Sequence, residues 1–567
     1  MIATRMPRTR TQLLATACAA LVLSACSPVT AETEDTTAMD PSALINTADL
    51  RRRIETLSSD EYMGRAPGTQ GGQMTLEYLA AEMAAAGLEP MGENSTYFQT
   101  VTLAEATLSP DSSMSISSGD AVLLDVDATQ TDDAVFWTKK TADTHVLNDS
   151  ELVFVGYGVV APEFGWNDYE GLDVEGKTVV MLVNDPGFAT KDEALFNGDA
   201  MTYYGRWTYK YEEAGRQGAA GAIVIHQTEP ASYPWEVVSG SWTGPQLDVV
   251  RGDGGADRTV MEGWVSEPTA EAMFEAAGLD FAELSVAAAN AGFEAVDMGD
   301  LTLDASLSQS VKTVQSANVA GGVLGTVRPE EYVLYMAHWD HLGNNGVGED
   351  HIYNGAVDNA TGTAMIVEIG EAIAEAGAPE RSVMVLAVTA EESGLLGSAF
   401  YAANPLVPLE NTVAGINIDA VLPIGETRDM TVIGFGASEL EDRLTEVLEP
   451  RDMRIAPDTN PSAGYFYRSD HISLAKRGVP MLYADGGVDH VTKGSAYGED
   501  FARGYTEDRY HKPADEYDNS WDLLGIQQVS EILFELGYGL ADSDDWPTWY
   551  DGNEFRALRD EQRAGLD

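Results

Sequence analysis

The sequence predicts an α/β protein: a mostly parallel mixed sheet flanked by helices on both faces, with a β-rich module inserted into it. Three observations carry this. From about residue 315, runs that are apolar throughout, "EYVLYMAH" (331–338), "SVMVLAVTA" (382–390), "TVAGINID" (412–419) and "VPMLYA" (479–484), recur along the chain. Helical patterns such as "TGTAMIVEIGEAIAEAG" (361–377) and "LLGIQQVSEILFELGYGLA" (523–541) separate or follow them. Strands without polar alternation belong to sheets covered on both faces, and strands alternating with helices belong to parallel ones. Between about 110 and 310 the rhythm differs: "ELVFVGYGVVAP" (151–162) and "GKTVVMLVND" (176–185) are short β-rich runs bounded by Gly and Pro.

At the N-terminus, Arg5, Arg8 and Arg10 precede the apolar stretch "LLATACAALVL" (13–23), which leads to "LSAC" ending at Cys26. Basic, apolar and small-residue regions in that order are an export signal, and this one is too short to span a membrane. The small-residue run ending in Cys resembles the lipobox of bacterial lipoproteins. That implies a signal peptide over 1–26, cleavage before Cys26 and a lipid anchor on its sulfur, on the periplasmic side and in the outer membrane. Cys18 would leave with the signal, so the mature chain could form no disulfide. Residues 27–48 are mostly small and polar and are expected to be a flexible tether. A helical pattern follows, with Leu76, Leu79, Ala80 and Met83 at helical spacing before Gly87.

Lys and Arg number 33 against 92 Asp and Glu, a formal net charge of −59. A surface this acidic repels nucleic acid and anionic lipid, which excludes a phosphate-backbone partner.

The chemistry gathers at strand ends. The first strand of the C-terminal half ends at His338, with Asp340 close behind; the second ends at Glu391 and Glu392; the third ends at Asp419. Asp358 stands just before a helix, and His511 lies in the late polar loop "DRYHKPADEYD". In an open α/β sheet, ligands bind beyond the carboxyl ends of the strands. Several carboxylates converging there repel one another unless a cation joins them. Imidazole with carboxylate oxygen suits zinc, and this many donors suit two ions sharing one carboxylate.

Taken in order, "HWDH" (338–341), "GAVDNATG" (355–362), "TAEESGLLGS" (389–398), "NID" (417–419) and "YHKPADEYD" (510–518) resemble the M28 family of zinc exopeptidases. The opening segment "SSDEYMGRAPGTQGG" is similar to that family's, and "FVGYGVVAP" with "AGRQGAAGAIVIH" resembles an inserted protease-associated domain. The resemblance implies a peptidase domain over 49–125 and 306–545, an insertion over 126–305 and a C-terminal tail over 546–567. It implies two zinc ions bridged by Asp358, one completed by His338 and Asp419, the other by Glu392 and His511. Glu391 would be the general base acting on a water between the ions, and Tyr510 would stabilise the oxyanion. Asp340 would orient His338, and Asp515 would orient His511. His471, in "YRSDHISLAKRGVP" (467–480), is expected in the core or behind the ligands. The implied activity is removal of N-terminal residues from a peptide substrate. Carboxypeptidases, dipeptidases and glutaminyl cyclases share much of the ligand set, and a non-catalytic surface protein that binds peptides around a structural metal is the alternative from another class.

Overall fold

The computed structural model describes residues 44–564. Its main sheet is built outward from the strand Arg328–His338, which pairs in parallel with Arg381–Val388 on one side and Thr412–Asn417 on the other. Past Thr412–Asn417 come Met481–Gly486, Asp429–Ile433 and Arg454–Pro457. Past Arg381–Val388 come the C-terminal half of Val296–Val323, then Phe98–Leu108 and Pro245–Val249, all antiparallel. The sheet is therefore mixed, with a parallel centre.

Side chains along the central strand alternate between two cores, as the strand repeat of two requires. Val333, Tyr335 and Ala337 enter the core shared with the helices Thr47–Leu57, Gly362–Ala376 and Leu524–Ala541; Leu334 and Met336 enter the core shared with Leu396–Ala403 and His471–Ala475. Both faces being covered is why these strands are apolar throughout.

The β-rich module forms a second sheet. From one edge it runs Ala121–Asp127, Ser113–Ser118, the N-terminal half of Val296–Val323, Thr144–Phe154, Thr178–Leu182, Gly221–His226, Met261–Ser266 and Ala134–Trp137. The 28-residue strand Val296–Val323 thus serves both sheets. Residues 301–306 of it pair with Ser113–Ser118, and residues 309–319 pair with Phe98–Leu108.

This shifts the expected boundaries. The second sheet already holds Ser113–Ser118 and Ala121–Asp127, although the expected peptidase domain runs to residue 125. Pro245–Val249, inside the expected insertion of 126–305, is an edge strand of the main sheet. No linker marks the return passage, because one unbroken strand crosses between the sheets and its composition does not change there. The described part of the expected tail, residues 546–564, is also part of the fold. Trp549 is fully buried, and Arg559 on the helix Arg556–Arg563 donates to the Thr412 carbonyl at 2.8 Å. The signal, Cys26 and most of the tether lie outside the described residues.

Candidate metal centre

Because the three central strands run parallel, their carboxyl ends share one edge. His338 closes the first strand, Glu391 and Glu392 follow the second, and Asp419 follows the third. The turns that deliver them are tight. Ala390, before the acidic pair, has φ 55°, and Ala420, after Asp419, has φ 59°. His511 has φ 55°. Each non-glycine residue in the left-handed region costs about 1 kcal/mol or more, and such strain gathers where side chains must be aimed.

Asp358 arrives from the single irregular turn Ala356–Thr361, ahead of the helix Gly362–Ala376. Gly355, with φ +55°, precedes it; a Cβ there would stand 2.5 Å from the His341 ring and 2.2 Å from the Asp358 carbonyl, so only glycine fits.

Two triads of donor atoms result. His338 Nε2 lies 3.1 Å from Asp419 Oδ1 and 3.2 Å from Asp358 Oδ1. His511 Nε2 lies 3.2 Å from Asp358 Oδ2 and 3.2 Å from Glu392 Oε2. Asp358 gives one oxygen to each triad. Four ligands at zinc's bond lengths around a tetrahedral ion stand roughly 3.3 Å apart, so the spacing suits that ion. The charge suits it too. Asp340, Asp358, Glu391, Glu392, Asp419 and Asp470 converge on three imidazoles. Burial pushes Glu391 well above the usual carboxyl range; the attraction of His338 opposes it, and repulsion from Glu392, Asp419 and Asp470 adds to it. Burial likewise raises Asp470 to about 7, against the attraction of His338 and a hydrogen bond with Ser398. A rim with more buried carboxylate than its histidines can balance is completed by divalent cations.

The neighbours differ in part from the sequence reading. His338 Nδ1 is 3.1 Å from the backbone carbonyl of Asp340, whereas that residue's carboxylate stands 3.9 Å away and accepts the Glu391 N–H at 3.1 Å. Asp340 therefore orients the histidine through its main chain and the acidic pair through its side chain. Asp515 meets the Asp358 turn rather than His511. It accepts the N–H groups of Val357 and Asp358, each at 3.1 Å, because that irregular turn leaves its amides without helical partners. Tyr510 stacks on His511, ring centroids 3.9 Å apart, with its side chain 43% exposed at the rim. His471 packs between Phe466 and Tyr483, at 4.6 and 5.1 Å, and burial pushes it down to about 3, so it is a neutral core residue.

Three contributors carried no sequence signal strong enough to assign them. His341 Nδ1 lies 2.6 Å from Glu392 Oε1; its only mark is its place in "HWDH". Ser469 donates to Asp419 Oδ2 at 2.6 Å. Arg65, 1% exposed, donates to the carbonyls of Trp339, Asn354 and Gly355, tying the His338 turn to the Asp358 turn.

Residues 318–536 match the model of peptidase family M28. Over this stretch the chain is similar to peptidase family M28. Among curated relatives, the Mus musculus aminopeptidase NAALADL1 is 36% identical over 110 residues, 18% of this chain and 13% of the mouse protein. A probable zinc metalloprotease of Pyrenophora teres f. teres is 25% identical over 234 residues, 41% of this chain and 44% of the fungal protein. The matched stretches thus span less than half the length of either relative. Among solved structures, an aminopeptidase from Aneurinibacillus sp. strain AM-1 aligns at 17% identity with a TM-score of 0.48, covering 89% of this chain and 96% of that one. A zinc aminopeptidase from Bacillus subtilis aligns at 15% identity with a TM-score of 0.41, covering 89% and 98%.

Proposed function

We propose that this protein is a two-zinc exopeptidase that removes N-terminal residues from peptides. The observation that carries the reading is Asp358 presenting one oxygen to each of two His–carboxylate triads. In it, His338, Asp358 and Asp419 hold one ion; His511, Asp358 and Glu392 hold the other. Zinc bound there would supply Lewis acidity to the substrate carbonyl and to water. Glu391 lies beside both triads but in neither. It takes a proton from the attacking water, whose oxygen adds to the peptide carbonyl carbon, and returns that proton to the amine as the C–N bond breaks. Tyr510, at the rim beside His511, donates its hydroxyl to the developing oxyanion. The surplus of carboxylate also suits a free α-ammonium group, which favours exopeptidase action. Export and lipidation at Cys26 belong to the same reading, and a Cys26→Ser variant would be found unanchored after fractionation.

The test is zinc counting on the purified protein together with hydrolysis of amino-acid anilides, unblocked peptides and N-blocked peptides. Glu391→Gln should keep the wild-type zinc content and lose about a thousandfold or more in turnover. Ordinary hydrolysis by that variant would remove Glu391 as the base. Cleavage of blocked peptides alone would remove the exopeptidase reading.

A further inference from the structure

Two arginines meet at the seam between the sheets, and neither has an ionic partner. Arg206 comes from the β-rich module, just ahead of the helix Trp207–Arg216. Arg468 comes from the segment that leads into the metal centre, one residue before Ser469, whose hydroxyl supports Asp419. Arg206 is 9% exposed. Its Nε, and Nε and Nη2 of Arg468, are buried without a hydrogen-bond partner, and among the described residues no carboxylate pairs with either guanidinium. This occurs in a chain with 92 acidic residues. Other cations along the seam are paired: Lys476, eight residues after Arg468, reaches Glu212 at 3.2 Å.

The surroundings are aromatic rather than acidic. The Arg468 guanidinium lies 5.7 Å from the ring centre of Tyr233, from the β-rich module, and 5.4 Å from that of Tyr465. Burial lowers Arg206 to about 9, and repulsion by Arg468 adds to it. Two like charges with buried, unmet donors are costly to keep, and an anion between them would relieve both. Guanidinium forks match a planar carboxylate better than a point anion.

Building on the exopeptidase reading, we propose that Arg206 and Arg468 form a carboxylate-binding subsite beside the metal centre, closed by the β-rich module. Its ligand is the carboxylate of a short peptide, supplied either by the free C-terminus of a dipeptide or by an acidic side chain following the cleaved bond. The module then acts in substrate choice as well as in covering the domain.

The test compares kcat/KM of the full-length zinc enzyme on a neutral dipeptide, the same dipeptide amidated at its C-terminus, and an amidated dipeptide with Asp in second place. The free acid should exceed the neutral amide by about tenfold or more. Recovery in the Asp amide identifies the side chain as a usable source; no recovery restricts the subsite to the terminal carboxylate. Arg206→Gln and Arg468→Gln should each bring the acid-to-amide ratio towards one, and the Lys variants should retain part of it. Zinc content and thermal melting identify any variant that fails to fold; in that event the wild-type ratios still decide. Equal wild-type rates on all three peptides, or a ratio unchanged in both folded Gln variants, would overturn the subsite. A wild type that cleaves none of them but loads zinc would instead refute the exopeptidase reading on which it rests.

Discussion

The two halves of the molecule bury acidic groups on opposite terms. In the β-rich module, Asp185 caps the helix Pro186–Thr190 and accepts the Thr202 N–H at 2.8 Å and hydroxyl at 2.7 Å, while Asp168 accepts from Val159 N–H at 2.8 Å and Trp166 at 2.7 Å. Lys210 sits among them, fully buried, donating to the carbonyls of Tyr157 and Asn184. Burial raises both acids to about 6 and lowers the lysine to about 7, with the opposite charges pulling each back. Every oxygen of those two carboxylates has a hydrogen-bond donor. At the rim of the main sheet the acids outnumber their partners, and Oδ2 of Asp340 has no hydrogen-bond donor. A buried carboxylate cluster whose oxygens are all met by its own neighbours is architecture; one that leaves buried carboxylate oxygen unmet is a binding site.

The largest expected effect falls on the residue that joins the two triads. Asp358→Ala should strip most of the zinc and lower turnover by about a thousandfold or more, several kcal/mol of lost stabilisation. Elemental analysis reads it, and retention of both ions would contradict the bridging geometry. Lys210→Met should destabilise the fold by about 3 kcal/mol by leaving the buried Asp168 and Asp185 without their cation, without changing zinc content. Denaturant unfolding measures the first and metal analysis the second; a change in zinc content would mean that the two clusters are coupled.

A smaller effect belongs to His341. His341→Phe keeps ring volume but removes the partner of Glu392, so zinc affinity should weaken about ten- to a hundredfold. Competition with a chelator would reveal it. At neutral pH the mildest effect belongs to His471, whose folded value of about 3 lies below its ordinary 6.5. A depressed histidine contributes stability that is fully present above 6.5 and is lost as pH falls from 6.5 towards 3. His471→Phe should therefore flatten the pH dependence of stability over that window by up to about 1.4 kcal/mol per pH unit. An unchanged slope would show that the ring is not held neutral.

Much of this was legible along the chain because it depends on local pattern. Strands buried on both faces must be apolar from end to end, so the break from an apolar run to His338, to Glu391–Glu392 or to Asp419 marks a strand end and a charged side chain together. Long-range partners leave no such mark. That Asp515 serves the Asp358 turn follows from amides left over by an irregular turn 157 residues away. That Arg65 ties two turns follows from carbonyls 274 and 290 residues ahead of it. The sheet boundary was illegible for another reason, since one strand serves both sheets and hydrogen-bonding partners do not alter composition.

By itself, then, the order of residues determined which side chains stand at the ends of parallel strands, because burial dictates composition locally. Only the tertiary structure decided that Asp358 faces both histidines, that His341 backs Glu392, and that Arg206 meets Arg468 across the seam. Those are relations between turns distant in sequence, and their energies come from desolvation and charge at contacts that exist only once the chain has folded.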